Sequence, residues 1–206
     1  MGKQGIAILL VFGMSAAALA DVTVYENEAD FLAAIEGGGG YLLEDFDNLP
    51  PGSIDPPYVL GPENGYGGEV WDVGDGDPGL WGCTGALSTN SALNALYVDF
   101  ASSPAPVFSS AGWFYASDYY CGFIPGYPME ITFTDVDDGS FGYSFVPANT
   151  TDVRGFLSTV ELVDMTIEAP DSPDLAWPAM DHYYIDSPEP ASLLLLGLGA
   201  LLIRRR

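Results

Sequence analysis

The side chains able to do chemistry in this chain are few in kind and overwhelmingly acidic. One histidine, His182, and two cysteines, Cys83 and Cys121, stand among 29 carboxylates and five basic residues in 206. A hydrolase needs a nucleophile with a base, a pair of carboxylates or a metal. The G-x-S-x-G, H-E-x-x-H and P-loop patterns do not occur downstream of the leader, so nothing supports serine-triad, zinc or nucleotide chemistry, and no catalytic residue is assigned. A cysteine nucleophile would have to use His182 as its base. That histidine lies between Asp181 and Tyr183-Tyr184 in an expected strand, which is a structural setting. The many carboxylates leave glycosidase chemistry open, because a sequence does not give their separations.

Two acidic groupings invite a metal reading. Asp135, Asp137 and Asp138 before Gly139 begin like a D-x-D calcium loop, and Asp72, Asp75, Gly76 and Asp77 form a second acidic turn. Calcium takes about six to eight oxygens, which clustered carboxylates supply. Neither stretch continues to a closing glutamate, so a hairpin turn competes for the first and a solvated loop for the second. Flat rings suited to stacking on sugars are plentiful: Trp71, Trp81, Trp113 and Trp177, with Tyr119, Tyr120, Tyr183 and Tyr184. Aromatic residues also dominate sandwich interiors, so core packing is the competing reading for each. Asn149-Thr150-Thr151 matches a glycosylation sequon.

Both ends carry addresses. Lys3, an apolar stretch from Ile6 to Phe12 and the small residues Ala18-Leu19-Ala20 read as a secretory signal peptide over residues 1–20, cut after Ala20 to leave Asp21. The apolar stretch is shorter than the roughly 20 residues needed to span a bilayer. At the other end, Pro188-Glu189-Pro190 precedes an uncharged run from Ala191 to Ile203 and then Arg204, Arg205 and Arg206. As a helix that run is only about 20 Å long, against a hydrocarbon core of about 30 Å. The terminal arginines are expected to stay cytoplasmic, giving one short crossing. The two prolines keep this helix from growing back into the domain, leaving the tripeptide extended.

These three C-terminal parts closely resemble the PEP-CTERM protein-sorting signal, over residues 188–206. The resemblance implies a bacterial exported protein that resides transiently in the inner membrane. An exosortase then recognises it and passes it to the cell surface or the extracellular polysaccharide matrix. It describes an address and leaves the cargo's activity open.

Between the two addresses, residues 21–187 hold every acidic residue except Glu189 and only one basic residue, Arg154. Such a surface repels polyphosphate, which excludes nucleic acid as a partner. Export places Cys83 and Cys121 in an oxidising compartment and predicts a disulfide between them, joining an irregular Trp81-Gly82-Cys83 segment to Tyr119-Tyr120-Cys121. Two buried free thiols are the alternative.

The elements that position these groups are read from periodicity. Val22 to Tyr25 is expected as a strand, followed by a short helix with Asn27 as N-cap, Asp30 three residues on and Phe31, Leu32 and Ile35 as its apolar stripe; Gly37 to Gly40 end it. Beyond it the pattern is all-β. Leu96, Val98 and Phe100 alternate with Tyr97 and Asp99, and Val163, Met165 and Ile167 alternate with Asp164 and Thr166. Further strands are expected at Tyr41 to Phe46, Ala111 to Ala116, Arg154 to Val160 and Met180 to Asp186. The clearest hairpin is Glu130 to Val146. A two-residue Asp138-Gly139 turn would split its apolar set between core and solvent. A three-residue loop, Asp137-Asp138-Gly139, pairs Phe133 with Tyr143 and Ile131 with Phe145 and makes Gly139 the left-handed residue.

The expected fold is an all-β, antiparallel two-sheet sandwich, jelly-roll-like, with one short N-terminal helix and a separate C-terminal hydrophobic helix. Residues 40–186 are also loosely similar to the sandwich domains that often precede such sorting signals, at Glu44-Asp45-Phe46-Asp47, Ala111-Gly112-Trp113-Phe114, Arg154-Gly155-Phe156-Leu157 and Met180-Asp181-His182-Tyr183. The functional expectation is a non-enzymatic surface or matrix protein without a cofactor. A carbohydrate-binding module, calcium-dependent through Asp135, Asp137 and Asp138, and a polysaccharide-active enzyme are the two alternatives.

Overall fold

The computed structural model describes residues 21–35, 39–61, 68–76, 78–170 and 176–188. The expected signal peptide, the C-terminal hydrophobic helix, all of the sorting signal beyond Pro188, and Asp77 lie outside the described residues. Among the described residues no helix is long and apolar enough to cross a membrane.

The chain is antiparallel β-structure with one helix. Its elements are β1 (Val22–Tyr25), α1 (Glu28–Ile35), β2 (Gly39–Glu44), β3 (Gly52–Ile54), β4 (Tyr58–Val59), β5 (Glu69–Gly74), β6 (Leu80–Cys83) and β7 (Ala86–Thr89). They continue with β8 (Asn94–Asp99), β9 (Val107–Ser117), β10 (Met129–Asp135), β11 (Ser140–Phe145), β12 (Val153–Glu168) and β13 (Trp177–Pro188).

The strands form two ladders that share β12. The first runs β3-β6-β7-β13-β9-β12, with β1 beside the first half of β12 and β2 beside the second half of β13. The second is built on the other half of β12, which pairs β8 and β10; β5 and β4 extend it past β8, and β11 past β10. Leu87, Phe114, Met180 and Tyr183 of the first ladder meet Leu96, Val98, Ile131, Phe133, Met165 and Ile167 of the second in one buried cluster. Burial on this scale is the main force holding the two ladders together.

The helix forms as its cap predicts. Asn27 Oδ1 accepts the Asp30 backbone N–H at 3.1 Å, and Asn27 Nδ2 donates to Asp30 Oδ2 at 2.8 Å. Phe31 and Ile35 are buried against Ala111 and Tyr184, on the face of the first ladder that points away from the main core. Gly155 makes this close approach feasible, since a Cβ there would lie 2.5 Å from the Phe31 ring.

Several expectations need correction. Arg154 to Val160 and Val163 to Ile167 belong to the single strand β12, and the irregular Trp81-Gly82-Cys83 segment is β6. Within β12 a bulge intervenes, because Thr134 faces Asp164 while Asp135 faces Leu162. The extra residue turns Leu162 into the core and leaves Val163 only half-buried. In the hairpin, Phe133 pairs with Phe141 and Ile131 with Tyr143, two residues from the expected register. The loop has the expected three residues but begins one earlier, at Val136-Asp137-Asp138, and Asp138, not Gly139, is left-handed with φ 60°. A two-residue shift preserves which side chains share a face, so the core pattern survives the error.

Candidate functional site

The expected disulfide exists: Cys83 of β6 is bonded to Cys121, with their Cα atoms 5.7 Å apart. In the sheet order β7 and β13 separate β6 from β9, so the loop after β9 reaches back across the outer face to be tied to β6. Beneath it lie Ala86, Tyr115 and Ala179, with Phe123 against the Tyr115 ring at 6.0 Å.

That loop is a second copy of the hairpin turn at Asp135. The Asp118 N–H donates to the Gly122 carbonyl at 2.7 Å, the Cys121 N–H donates to the Asp118 carbonyl at 2.9 Å, and Cys121 is left-handed with φ 65°. Asp118 Oδ1 accepts the N–H groups of Tyr120 and Gly122 at 2.8 and 2.7 Å. At the other turn Asp135 Oδ1 accepts the N–H groups of Asp137 and Gly139 at 2.9 and 2.8 Å. The shared pattern is D-x-x-x-G. The carboxylate caps the loop, and the closing glycine is required because a Cβ would lie 2.9 Å from Asp118 Oδ2 or 2.4 Å from Asp135 Oδ2.

The first turn projects aromatic rings outward. Tyr119 is 67 % and Tyr120 87 % exposed, the largest exposures among the large apolar side chains of the described residues. Their centroids are 5.4 Å apart, and the Trp177 ring lies 6.0 Å from Tyr119 at an angle of 64°. Trp177, Tyr119 and Trp81 line a surface cleft together with Ser88, Thr89, Asn90, Ser117 and Asp118. Rings for stacking beside hydroxyl, amide and carboxylate groups make a surface that can hold a polyhydroxylated ligand. Among the described residues Asp118 is the one carboxylate lining this cleft.

The remaining sequence candidates are placed elsewhere. Asp137 and Asp138 stand exposed on their turn, while Asp135 is buried as its cap. Among the described residues no three His, Cys, Asp or Glu side chains converge on a point that could hold a metal ion. Of the expected acidic turn, Asp75 and Gly76 form a bend, whereas Asp72 belongs to β5, where its carboxylate accepts bonds from the Asn90 N–H at 3.3 Å and from Asn94 Nδ2. Tyr183 and Tyr184 are buried: one bonds Ser110 Oγ at 2.8 Å inside the core, and the other reaches Glu28 under the helix. Trp71 sits on β5 in the second ladder, outside the cleft.

His182 is the residue whose setting the sequence hid. A bulge in β13 between Asp181 and Tyr184 gives it φ 43°, and its ring stacks flat on Trp113 at 3.9 Å and 4°. Asp181 Oδ1 accepts the His182 N–H at 2.6 Å and lies 3.5 Å from Nδ1. Burial raises the Asp181 carboxyl, an effect that the His182 bonds and charge only partly offset. Burial, followed by the charge of Asp181, pushes the Tyr115 hydroxyl up to about 12.

A carboxyl raised on folding binds its proton more tightly in the folded state. Its contribution is therefore complete at low pH and is lost as pH rises through the folded value. Asp72 is raised for the same leading reason, burial. The melting temperature is expected to rise as the solution is acidified from about pH 7 toward the ordinary aspartate value of about 3.9, with relief of acidic self-repulsion adding in the same direction. Asp181→Asn should flatten that slope in thermal melts. A melting temperature that falls on acidification would show that ionised Asp181 and Asp72 are favoured by folding instead.

No protein-family model and no curated protein matches the chain. Among solved structures it is similar to a "Carbohydrate binding module family29", with 13% identity over 70% of this chain and 86% of that one at a TM-score of 0.38. A CBM29-2 variant complexed with cellulohexaose shares 13% identity over 81% of this chain and 91% of that one, TM-score 0.38. A further variant, complexed with mannohexaose, shares 12% over 70% and 89%, TM-score 0.37. Likeness at this level assigns neither ligand nor family to the chain.

Proposed function

We propose that this is an exported, non-enzymatic bacterial surface or matrix protein, delivered by its PEP-CTERM sorting signal, whose jelly-roll-like sandwich binds carbohydrate through Tyr119, Tyr120 and Trp177. On this reading residues 1–20 are removed on export, the precursor rests in the inner membrane, and an exosortase acts at Pro188-Glu189-Pro190. The closed Cys83–Cys121 bond fits an oxidising destination.

The observation that carries the binding function is the pair of exposed tyrosines on a loop fixed twice over, by the Asp118 cap and by the disulfide. Leaving such rings in water forgoes their burial, while pinning them reduces the entropy lost when a ligand stacks on them. The test is binding of the full chain to soluble oligosaccharides and to matrix polysaccharide, with calcium and with a chelator. Tyr120→Ala is expected to weaken binding about tenfold, as loss of one stacked ring implies. Tyr120 is nearly free of contacts that support the fold, so the variant should melt with the wild type. Binding abolished by the chelator would bring the Asp135-Asp137-Asp138 turn into the function. No binding to any glycan in either condition would leave a purely structural matrix role.

A further inference from the structure

We propose that the cleft's ligand is a polysaccharide bearing protonated amines, and that Asp118 receives the ammonium group. The proposal rests on the carbohydrate-binding reading above and specifies its substrate class. Three observations converge on it.

The first is local. Among the described residues Asp118 is the only charged one lining the cleft, and it lies directly beside Tyr119. Two backbone N–H bonds to Oδ1 fix the orientation of its carboxylate before any ligand arrives. A carboxylate held in place needs no rearrangement to accept a charged donor, and charge-assisted bonds are the strong ones. The second is the company it keeps. The faces of Tyr119, Tyr120 and Trp177 carry the negative side of the ring quadrupole, which attracts an ammonium and is indifferent to a hydroxyl. Aromatic rings beside one carboxylate form a receptor for an organic cation.

The third is the field of the whole domain. Across residues 21–188 the only lysine or arginine is Arg154, and the one histidine, His182, is stacked on Trp113 outside the cleft. Arg154 is engaged elsewhere: its guanidinium lies 4.8 Å from the centre of the Phe145 ring, and Nη1 donates to the Val153 carbonyl at 2.6 Å. Neither contact is part of the cleft. A uronic-acid or sulfated polymer would approach a strongly negative surface and find no cation to meet it. A neutral polymer gains nothing from the field. An amino-sugar polymer is drawn in by it and then paired at Asp118.

The test measures calorimetric binding of the full chain to three oligosaccharides of equal length: a fully deacetylated glucosamine oligomer, its N-acetylated counterpart and a cello-oligosaccharide. In mildly acidic buffer the amine form is expected to bind about tenfold more tightly than the other two. The preference should vanish in mildly alkaline buffer, where the amines are neutral, and shrink between about 50 mM and about 500 mM salt. Asp118→Asn keeps an oxygen to cap the turn. It should remove the preference of the amine form over the acetylated form. Equal affinity for all three would overturn the charge inference and leave carbohydrate binding standing. Failure of all three to bind would overturn the carbohydrate reading itself. Amine binding unaffected by Tyr119→Ala, which removes a ring that lines the cleft, would mean diffuse attraction to the acidic surface, which also refutes a cleft.

Discussion

With Cys83 and Cys121 both replaced by serine, the protein is expected to lose about 4 kcal/mol of unfolding free energy, the chain-entropy value for releasing a closed loop of this length. The two cysteines are 38 residues apart in sequence. Three strands lie wholly within the enclosed segment: β7, β8 and β9. The unfolded double variant therefore explores conformations that the cross-linked chain is denied. The folded variant also loses the tie that brings the loop after β9 over β13 and β7, so Phe123 and Tyr115 lose part of what holds them together. Denaturant unfolding with unchanged slope and a lower midpoint is the expected record. Glycan affinity should fall with it, because Tyr119 and Tyr120 are then held by the Asp118 cap alone. A loss below about 1 kcal/mol would show that the turn is self-sufficient and the cross-link dispensable.

Neutral replacement of Arg204, Arg205 and Arg206 is expected to abolish delivery. On the proposed route the uncharged run before them would be about 20 Å long as a helix, too short to hold a bilayer by its own hydrophobicity. What keeps such a segment in place is the cost of drawing the three guanidinium groups through hydrocarbon. Without that cost the precursor slips out of reach of the processing enzyme before it is cut. Intact mass of the surface and medium fractions reads the result: the variant should appear with its tail attached and outside the surface fraction. Replacement by three lysines keeps the charge and should preserve retention. Normal trimming and surface delivery of the neutral variant would remove the sorting role from these residues.

The sequence is most legible where one face of a strand is wet and the other dry. Leu96, Val98 and Phe100 are buried and alternate with half-buried Tyr97 and Asp99, as periodicity requires. The same holds along β10. Legibility fails where both faces are covered. In β13, Tyr183 enters the main core while its neighbour Tyr184 enters the helix cluster, so alternation carries no information there. All four residues of β7 are buried, and β6 and β7 are too short for a pattern to register. Bulges are a second source of error: one extra residue at Val163 or near His182 resets every side chain that follows. The aromatic cleft was half visible. Its tyrosines were candidates from the start, but so were Tyr183 and Tyr184, and only packing separates the exposed pair from the buried one. The D-x-x-x-G spacing marks both capped turns, but it also runs from Asp72 to Gly76 and from Asp75 to Gly79, so it does not by itself single out Tyr119 and Tyr120.

The last strand of the domain has a mechanical consequence. β13 is the segment from which the proposed sorting tail would depart, and it lies in the interior of its ladder, bonded to β9 on one side and to β7 and then β2 on the other. Tension applied through a tethered C-terminus would therefore load these hydrogen bonds in shear, many at once, where an edge strand would unzip them one by one. On the proposed route, with the tail held at the envelope, a domain wired in this way would bear the drag of a moving matrix without being peeled open from its point of attachment.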